Sequence, residues 1–208
     1  ITVDNGAYAS IGNVVLKRAL LMLTSSYYVP NVKVQGRVVY TNNIWGSAAR
    51  GAGPPQTHYA LECAIDLLAD KLGIDPLEFR KRNSLVPGQS KATGDTSPEW
   101  PFPELCEAIQ PHYARLRQEV AQYNSEPRDT IRRGVGLGAA AFGIAMPGDK
   151  AIAHAELGED DVVTVYAAAA DPGEGNDSML WQLAGQVLGL PLSRVKVVTR
   201  NTDQTAAS

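Results

Sequence analysis

GSAARGAGPPQTHYALECAIDLLADKLGIDPLEFRKRN, residues 46–83, carries the strongest structural signals of the chain. It opens as a loop of small residues around one arginine, Arg50, and closes on Pro54 and Pro55. Gln56–Leu72 then reads as a helix. Tyr59, Cys63 and Leu67 fall four apart, as do Ala60, Ala64, Leu68 and Leu72. The pattern places Cys63 on a buried face, where it would act as a small apolar residue. Gly73 suits the position just past a helix end. Asp75-Pro76-Leu77-Glu78 is a capping box with proline in the first turn, so a second short helix is expected to about Asn83.

Outward on the N-terminal side, Ile1–Asn5 alternates as a short strand and Val14–Leu23 reads as a helix. Val32–Tyr40 is valine-rich and reads as a strand. On the C-terminal side, Leu85–Trp100 carries prolines, glycines and small polar residues and reads as a loop. Leu105, Ile109, Tyr113, Leu116 and Val120 mark an amphipathic helix that Pro111 should kink or delay. The pattern then changes. Val135–Ala145, Ala151–Leu157 and Val162–Ala170 read as strands, with turns at Pro147-Gly148-Asp149 and Gly158–Asp161. A glycine loop, a helix over Asn176–Leu188 and a strand over Arg194–Thr199 follow. The expectation is an α+β fold of mixed sheets and packed helices. Its two subdomains would be residues 1–125 and 131–208, joined by a linker at about 125–131.

The composition narrows the function. The chain has 208 residues, 44% of them hydrophobic and 20% charged, enough for a core and too apolar for a disordered chain. A net charge of -3 gives no positive field for nucleic acid or an anionic membrane. No apolar run is long enough to span a bilayer, and no targeting segment is visible. Cys63 and Cys106 are the only cysteines. They share no ligand spacing with His58, His112 or His154, so neither zinc nor an iron–sulfur cluster is expected on this segment. Ile1 already reads as strand and Thr205–Ser208 follows a strand without a cap, as an internal piece of a longer chain would.

Chemistry has three candidate locations. Asp171-Pro172-Gly173-Glu174-Gly175-Asn176 lies between a strand and a helix. Its glycines allow close approach of a ligand, and the helix start would suit a phosphate. It lacks the lysine of a P-loop and the third glycine of a dinucleotide fingerprint, and Glu174 and Asp177 add negative charge. On this motif alone the favoured reading is a capped strand–helix turn. The loop Gly46–Gln56 could wrap a flat ligand while Arg50 binds an anionic or oxo group, or it is a surface turn with a solvated arginine. Arg18 sits in an apolar helix, where it either snorkels to solvent or points into a cleft to neutralise developing charge. Asp160-Asp161 reads as a solvated turn. His154 and Glu156 share one face of a strand.

Taken in order, Arg18-Ala19-Leu20, Tyr27, Val29-Pro30-Asn31-Val32, Gly36-Arg37, Thr41-Asn42 and Gly46–Gln56 resemble the molybdenum domain of the xanthine oxidase and aldehyde oxidoreductase family. Leu72-Gly73, Asp75-Pro76-Leu77-Glu78, Arg80 and Asn83 continue the likeness. Gly173-Glu174-Gly175 is similar to the family's Gly-Gln-Gly cofactor loop, and Leu188–Leu192 with Val195 follows. The resemblance covers nearly the whole chain, least closely over 85–130. It implies part of a hydroxylase of aldehydes or aromatic heterocycles, with water as oxygen source. The implied cofactor is a molybdenum–pyranopterin, whether or not in dinucleotide form, with iron–sulfur clusters on another domain or subunit. It further implies a cytoplasmic homo-oligomer when intact.

By the same resemblance, Arg50, Gly51, Gly173, Glu174, Gly175 and Asn176 would contact the cofactor, and Arg18, Ala52 and Phe142 the substrate. The general-base glutamate would lie outside these residues, so the 208-residue chain alone should be inactive. Thr205–Ser208 would either stop before a small-residue cofactor loop or form it. Three departures stand out. Ala49 replaces a phenylalanine, Ala52 stands where an aromatic walls the pocket, and Glu174 replaces glutamine. They leave two readings, a divergent active enzyme or a non-catalytic structural module.

Overall fold

The computed structural model describes residues 1–125, 130–143 and 150–206. They divide into two units, Ile1–Gly143 and Ile144–Ser208.

The first unit starts with β1 (Thr2–Asp4), which pairs in parallel with β2 (Arg37–Val39) across α1 (Gly12–Leu21). The valine-rich run 32–40 was expected to be strand throughout. Only its three residues opposite β1 pair, because β1 itself offers three. The Asp4 carboxylate then fixes the chain beyond β2. It accepts hydrogen bonds from Gly6 N (2.8 Å), Thr41 Oγ1 (2.7 Å) and Asn43 Nδ2 (2.7 Å). These bonds, that from Thr41 foremost, hold the Asp4 carboxyl below its ordinary pKa.

The helix α2 (Pro54–Leu72) ends at Gly73, whose φ of 65° is left-handed. The face it buries is Thr57, His58, Glu62, Ile65 and Ala69. The expected buried face is wrong: Cys63 is exposed, and Tyr59 and Leu67 are 75% and 72% exposed. The helix is apolar around most of its circumference, so periodicity could not decide which side turns inward. The polar partners of Glu62 and His58 decide it.

Asp75 caps α3 (Pro76–Arg82), accepting from Leu77 N at 2.9 Å and Glu78 N at 3.2 Å. Glu78 pairs with Arg82 (2.6 Å). The helix α4 (Phe102–Ser125) runs through Pro111, and Pro111 does not delay its start. It buries Cys106 and Tyr113 against Leu77, with Phe102, Val135 and Leu137 packed around them. Leu105, Ile109 and Leu116, expected inside, are exposed.

Between α2 and α3 lies a buried ionic cluster. Arg80 is 2% exposed. Its guanidinium meets Glu62 at 2.9 Å and Asp66 at 2.8 Å, and donates to Pro76 O (3.1 Å) and Leu137 O (3.0 Å). Glu62 also accepts from Tyr27 Oη (2.6 Å) and Ala139 N (2.9 Å). These bonds draw residues 135–143 onto the first unit, which is why it extends past the expected linker near 125–131. Residues 135–143 form no strand. Residues 144 and 145 of that expected strand, and the expected turn at 147–149, lie outside the described residues.

The second unit holds a three-stranded sheet in the order β3 (Ala153–Leu157), β4 (Val163–Ala167), β5 (Val195–Val198). The β3–β4 pair is antiparallel and joined by the turn read at 158–161; β4 and β5 are parallel. The helix α5 (Asn176–Leu188) makes the crossover between β4 and β5, as the length of a parallel connection requires. Trp181 Nε1 donates to Leu192 O (2.9 Å) and Val195 O (2.8 Å), holding α5 to the start of β5. His154 stacks on Tyr166, with ring centroids 4.7 Å apart, and Tyr166 Oη reaches Glu156 at 3.3 Å. They form a cross-strand packing set.

Candidate functional site

In the first unit the Gly46–Gly53 loop descends onto α1. A Cβ on Gly53 would sit 2.2 Å from Val15 O and 3.0 Å from Ala19 N, and Gly53 has φ of 113°. No other residue type fits both the conformation and the approach. The close approach seats the loop against the turn of α1 that carries Arg18. Arg50 lies exposed at the tip, Gly51 has φ of 95°, and Ala52, half-buried, has φ of 46°. Ala52 N donates to Ala49 O (2.8 Å), closing the turn around Arg50.

Arg18 is half-buried. Its Nε is enclosed and has no hydrogen-bond partner. The guanidinium lies 5.4 Å from the ring centroid of Phe142, which is 49% exposed. Such a cation–π contact holds an arginine while leaving other donors available to an anion. Of the residues expected at a site, Arg18 and Phe142 are in contact, and the loop bearing Arg50, Gly51 and Ala52 rests on the helix of Arg18.

The second unit carries the other four. Gly175, at φ of 91°, is the N-cap of α5, and Asn176 is its first residue. The amide groups expected to be free for an anion are not. The Asp171 carboxylate accepts from Gly173 N at 2.8 Å and Gly175 N at 3.1 Å. These bonds, from Gly175 first, hold its carboxyl below the ordinary value. Asn176 Nδ2 donates to Ala170 O (2.6 Å). Asp177 pairs with Thr199 Oγ1 (2.7 Å) and with Arg200. The anion at this helix mouth is therefore the protein's own Asp171. Asp171 thus occupies the Gly173 and Gly175 amides, two of the donors that a phosphate at this loop would use.

Asp171, Glu62, Ser25 and Arg80 are the residues whose roles the sequence reading missed. A carboxylate two and four residues before two glycines is a legible signal for the first. Nothing local marks the others, because their partners are distant in the chain.

Unit 1 thus carries Arg50 on a loop that rests on α1, and Arg18 of α1 beside the exposed Phe142 ring. Among the described residues no cluster of His, Cys, Asp or Glu could hold a metal directly. A molybdenum carried by its own organic ligand requires none from the chain.

Two family models, each described as a molybdopterin cofactor-binding domain, match residues 1–84 and 108–208. The chain is 35% identical over 210 residues to an aldehyde oxidoreductase of Megalodesulfovibrio gigas, across 99% of this chain and 23% of that protein. It is 30% identical over 220 residues to the xanthine dehydrogenase/oxidase of Gallus gallus, across 99% of this chain and 16% of that one. The solved aldehyde oxidoreductase from Desulfovibrio gigas superposes with a TM-score of 0.83 at 34% identity, over 98% of this chain and 23% of its own. Quinoline 2-oxidoreductase from Pseudomonas putida 86 gives 0.76 at 25% identity, over 100% and 29%. The chain thus spans under a third of the length of these relatives. The ordered motifs, the α+β architecture and these likenesses agree: the chain belongs to the molybdopterin-binding domains of the xanthine oxidase family.

Proposed function

We propose that residues 1–208 contribute cofactor-binding and substrate-binding residues to a molybdenum hydroxylase. The intact protein would oxidise aldehydes or aromatic heterocycles with water as oxygen source. The observation that carries the reading is the joining of Arg18, Phe142 and the Arg50 loop in one unit, with Gly53 pressed on the helix of Arg18.

A molybdenum–pyranopterin, when bound, supplies the redox chemistry. The chain's own residues do the rest. Arg50 and the main chain at Gly51 would bear on the cofactor, as would the loop surface from Gly173 to Asn176. Arg18 would stabilise negative charge growing on the substrate in the transition state. Phe142 would flank the substrate, and Ala52 would leave space where an aromatic side chain would narrow the pocket. The general-base glutamate would come from outside these residues. We place two molybdopterin-binding subdomains in the chain, the first from residue 1 and the second running to 208, with residues 130–143 folding as part of the first unit.

The remaining subunit, an iron–sulfur domain or subunit that takes the electrons, and a second copy would be its partners. Among the described residues no helix is long and apolar enough to cross a membrane, and a cytoplasmic setting suits a molybdenum–pyranopterin enzyme.

The test is a purified intact subunit from a molybdenum-replete host. About one molybdenum per chain and aldehyde oxidation with an artificial electron acceptor are expected, with no turnover by residues 1–208 alone. The Asp171 bonds and Glu174 favour a second reading, a structural module without cofactor. Absence of molybdenum from the intact subunit would establish it in place of the first.

A further inference from the structure

We infer that Glu62 and Ser25 are positioning residues that set the register of residues 135–143 and thereby hold Phe142 on the Arg18 guanidinium. The inference rests on the reading of Arg18 as a substrate-facing residue.

Residues 135–143 are extended but have no partner strand. Burial alternates along them: 135, 137, 139, 141 and 143 are half-buried, and 136, 138, 140 and 142 are exposed. Main-chain groups of the odd residues meet side chains instead of a neighbouring strand. Leu137 O accepts from Arg80 (3.0 Å), Ala139 N donates to Glu62 Oε2 (2.9 Å), and Ala141 N donates to Ser25 Oγ (3.2 Å). Val135 and Leu137 pack on the Leu77–Cys106–Tyr113 cluster, and a Cβ on Gly143 would lie 2.9 Å from Met22 Cε.

The anchors are spaced two residues apart, which is the repeat of an extended chain. A slip of one residue would exchange the two faces and turn Phe142 away. Phe142 follows directly on the last anchored amide. Arg18 in turn has an enclosed Nε without a hydrogen-bond partner, and its guanidinium lies 5.4 Å from the Phe142 ring centroid. Glu62 is the natural origin of this chain of contacts. It is 8% exposed and joins Tyr27, Arg80 and Ala139.

The test uses the intact subunit with 4-fluorophenylalanine at position 142. Glu62→Gln and Ser25→Ala should each move the fluorine resonance toward its unfolded position, as should Arg18→Leu. A resonance unmoved by Glu62→Gln and Ser25→Ala in folded protein overturns the inference. Turnover supplies a second arm. Glu62→Gln should lower kcat/KM for an aldehyde by about ten- to a hundredfold. In the Phe142→Leu background the same change should cost less than about twofold, because the two act as one unit. Equal losses in both backgrounds would mean a merely structural role and overturn it. Should Glu62→Gln fail to fold, Ser25→Ala, which leaves the ionic cluster intact, carries both arms. Absence of molybdenum and turnover in the unmodified subunit refutes the functional reading alone, and the fluorine arm still decides the positioning.

Discussion

Replacing Arg80 by methionine tests the account of the first unit most sharply. The side chain is 2% exposed and lies within 2.9 Å of Glu62 and 2.8 Å of Asp66. Methionine fills much of the volume and removes the charge. Glu62, its side chain 11% exposed, then keeps only the Tyr27 hydroxyl and the Ala139 amide as donors. Breaking a buried pair in this way costs about 3–5 kcal/mol, mostly because the remaining charge stays desolvated. Asp66, 48% exposed on its side chain, recovers water and adds little. At about 3 °C per kcal/mol for a unit of this size, Tm should fall by about 9–15 °C. The measurement is urea and thermal unfolding of the chain, followed by circular dichroism. The pair variant Arg80→Met with Glu62→Leu should recover part of the loss, since no buried charge then remains. A loss below about 1 kcal/mol for Arg80→Met, or no recovery in the pair, would mean that Glu62 is not held as a buried charge by Arg80.

Further outcomes follow from the same structure. Tyr27 has its pKa raised, by burial first and then by its hydrogen bond to Glu62. The unfolded tyrosine ionises near pH 10 while the folded one stays protonated, so Tyr27 contributes stability that is present below about pH 10 and lost as pH rises beyond it. Tyr27→Phe should flatten that alkaline decline in urea midpoints measured from pH 8 to 11; an unchanged slope would show that other groups cause it. Of the two thiols, exposed Cys63 should react quickly with a chromogenic disulfide at pH 8. Buried Cys106, its pKa raised chiefly by desolvation, should react only on unfolding, and equal rates would contradict the placement of α4. Gly53→Ala should destabilise by more than about 2 kcal/mol in the same urea assay, from positive φ and from the clash with Val15 O. A neutral result would mean that the loop does not rest on α1.

Much of the fold was legible because the signals were local. Gly73 ends α2 in the left-handed conformation, Asp75 caps α3, and α5 runs over Asn176–Leu188 as the loop before it and Gly189 after it suggest. The period of two over 135–145 was also real in its described part. Its reading as a strand failed because a strand needs a partner, and alternation says nothing about whether the partner is another strand or a row of side chains. The candidate site was legible in parts. The Arg50 loop and Arg18 carry their own motif, and Asp171 stands beside its glycines. The contact of Arg18 with Phe142 joins residues far apart in sequence, and no spacing announces it.

The order of the helices and the caps that bound them are written in the amino-acid sequence, since each depends on residues within a turn or two of one another, and the family is written in motifs that recur in order along it. Tertiary structure alone decided which side of α2 turns inward, where the first unit ends and which residue holds Phe142. Those outcomes depend on where a buried charge finds its partners. Glu62 meets Arg80 eighteen residues on and Ala139 seventy-seven residues on, and burial in a low dielectric makes those distant bonds outweigh the apolar pattern that pointed the other way.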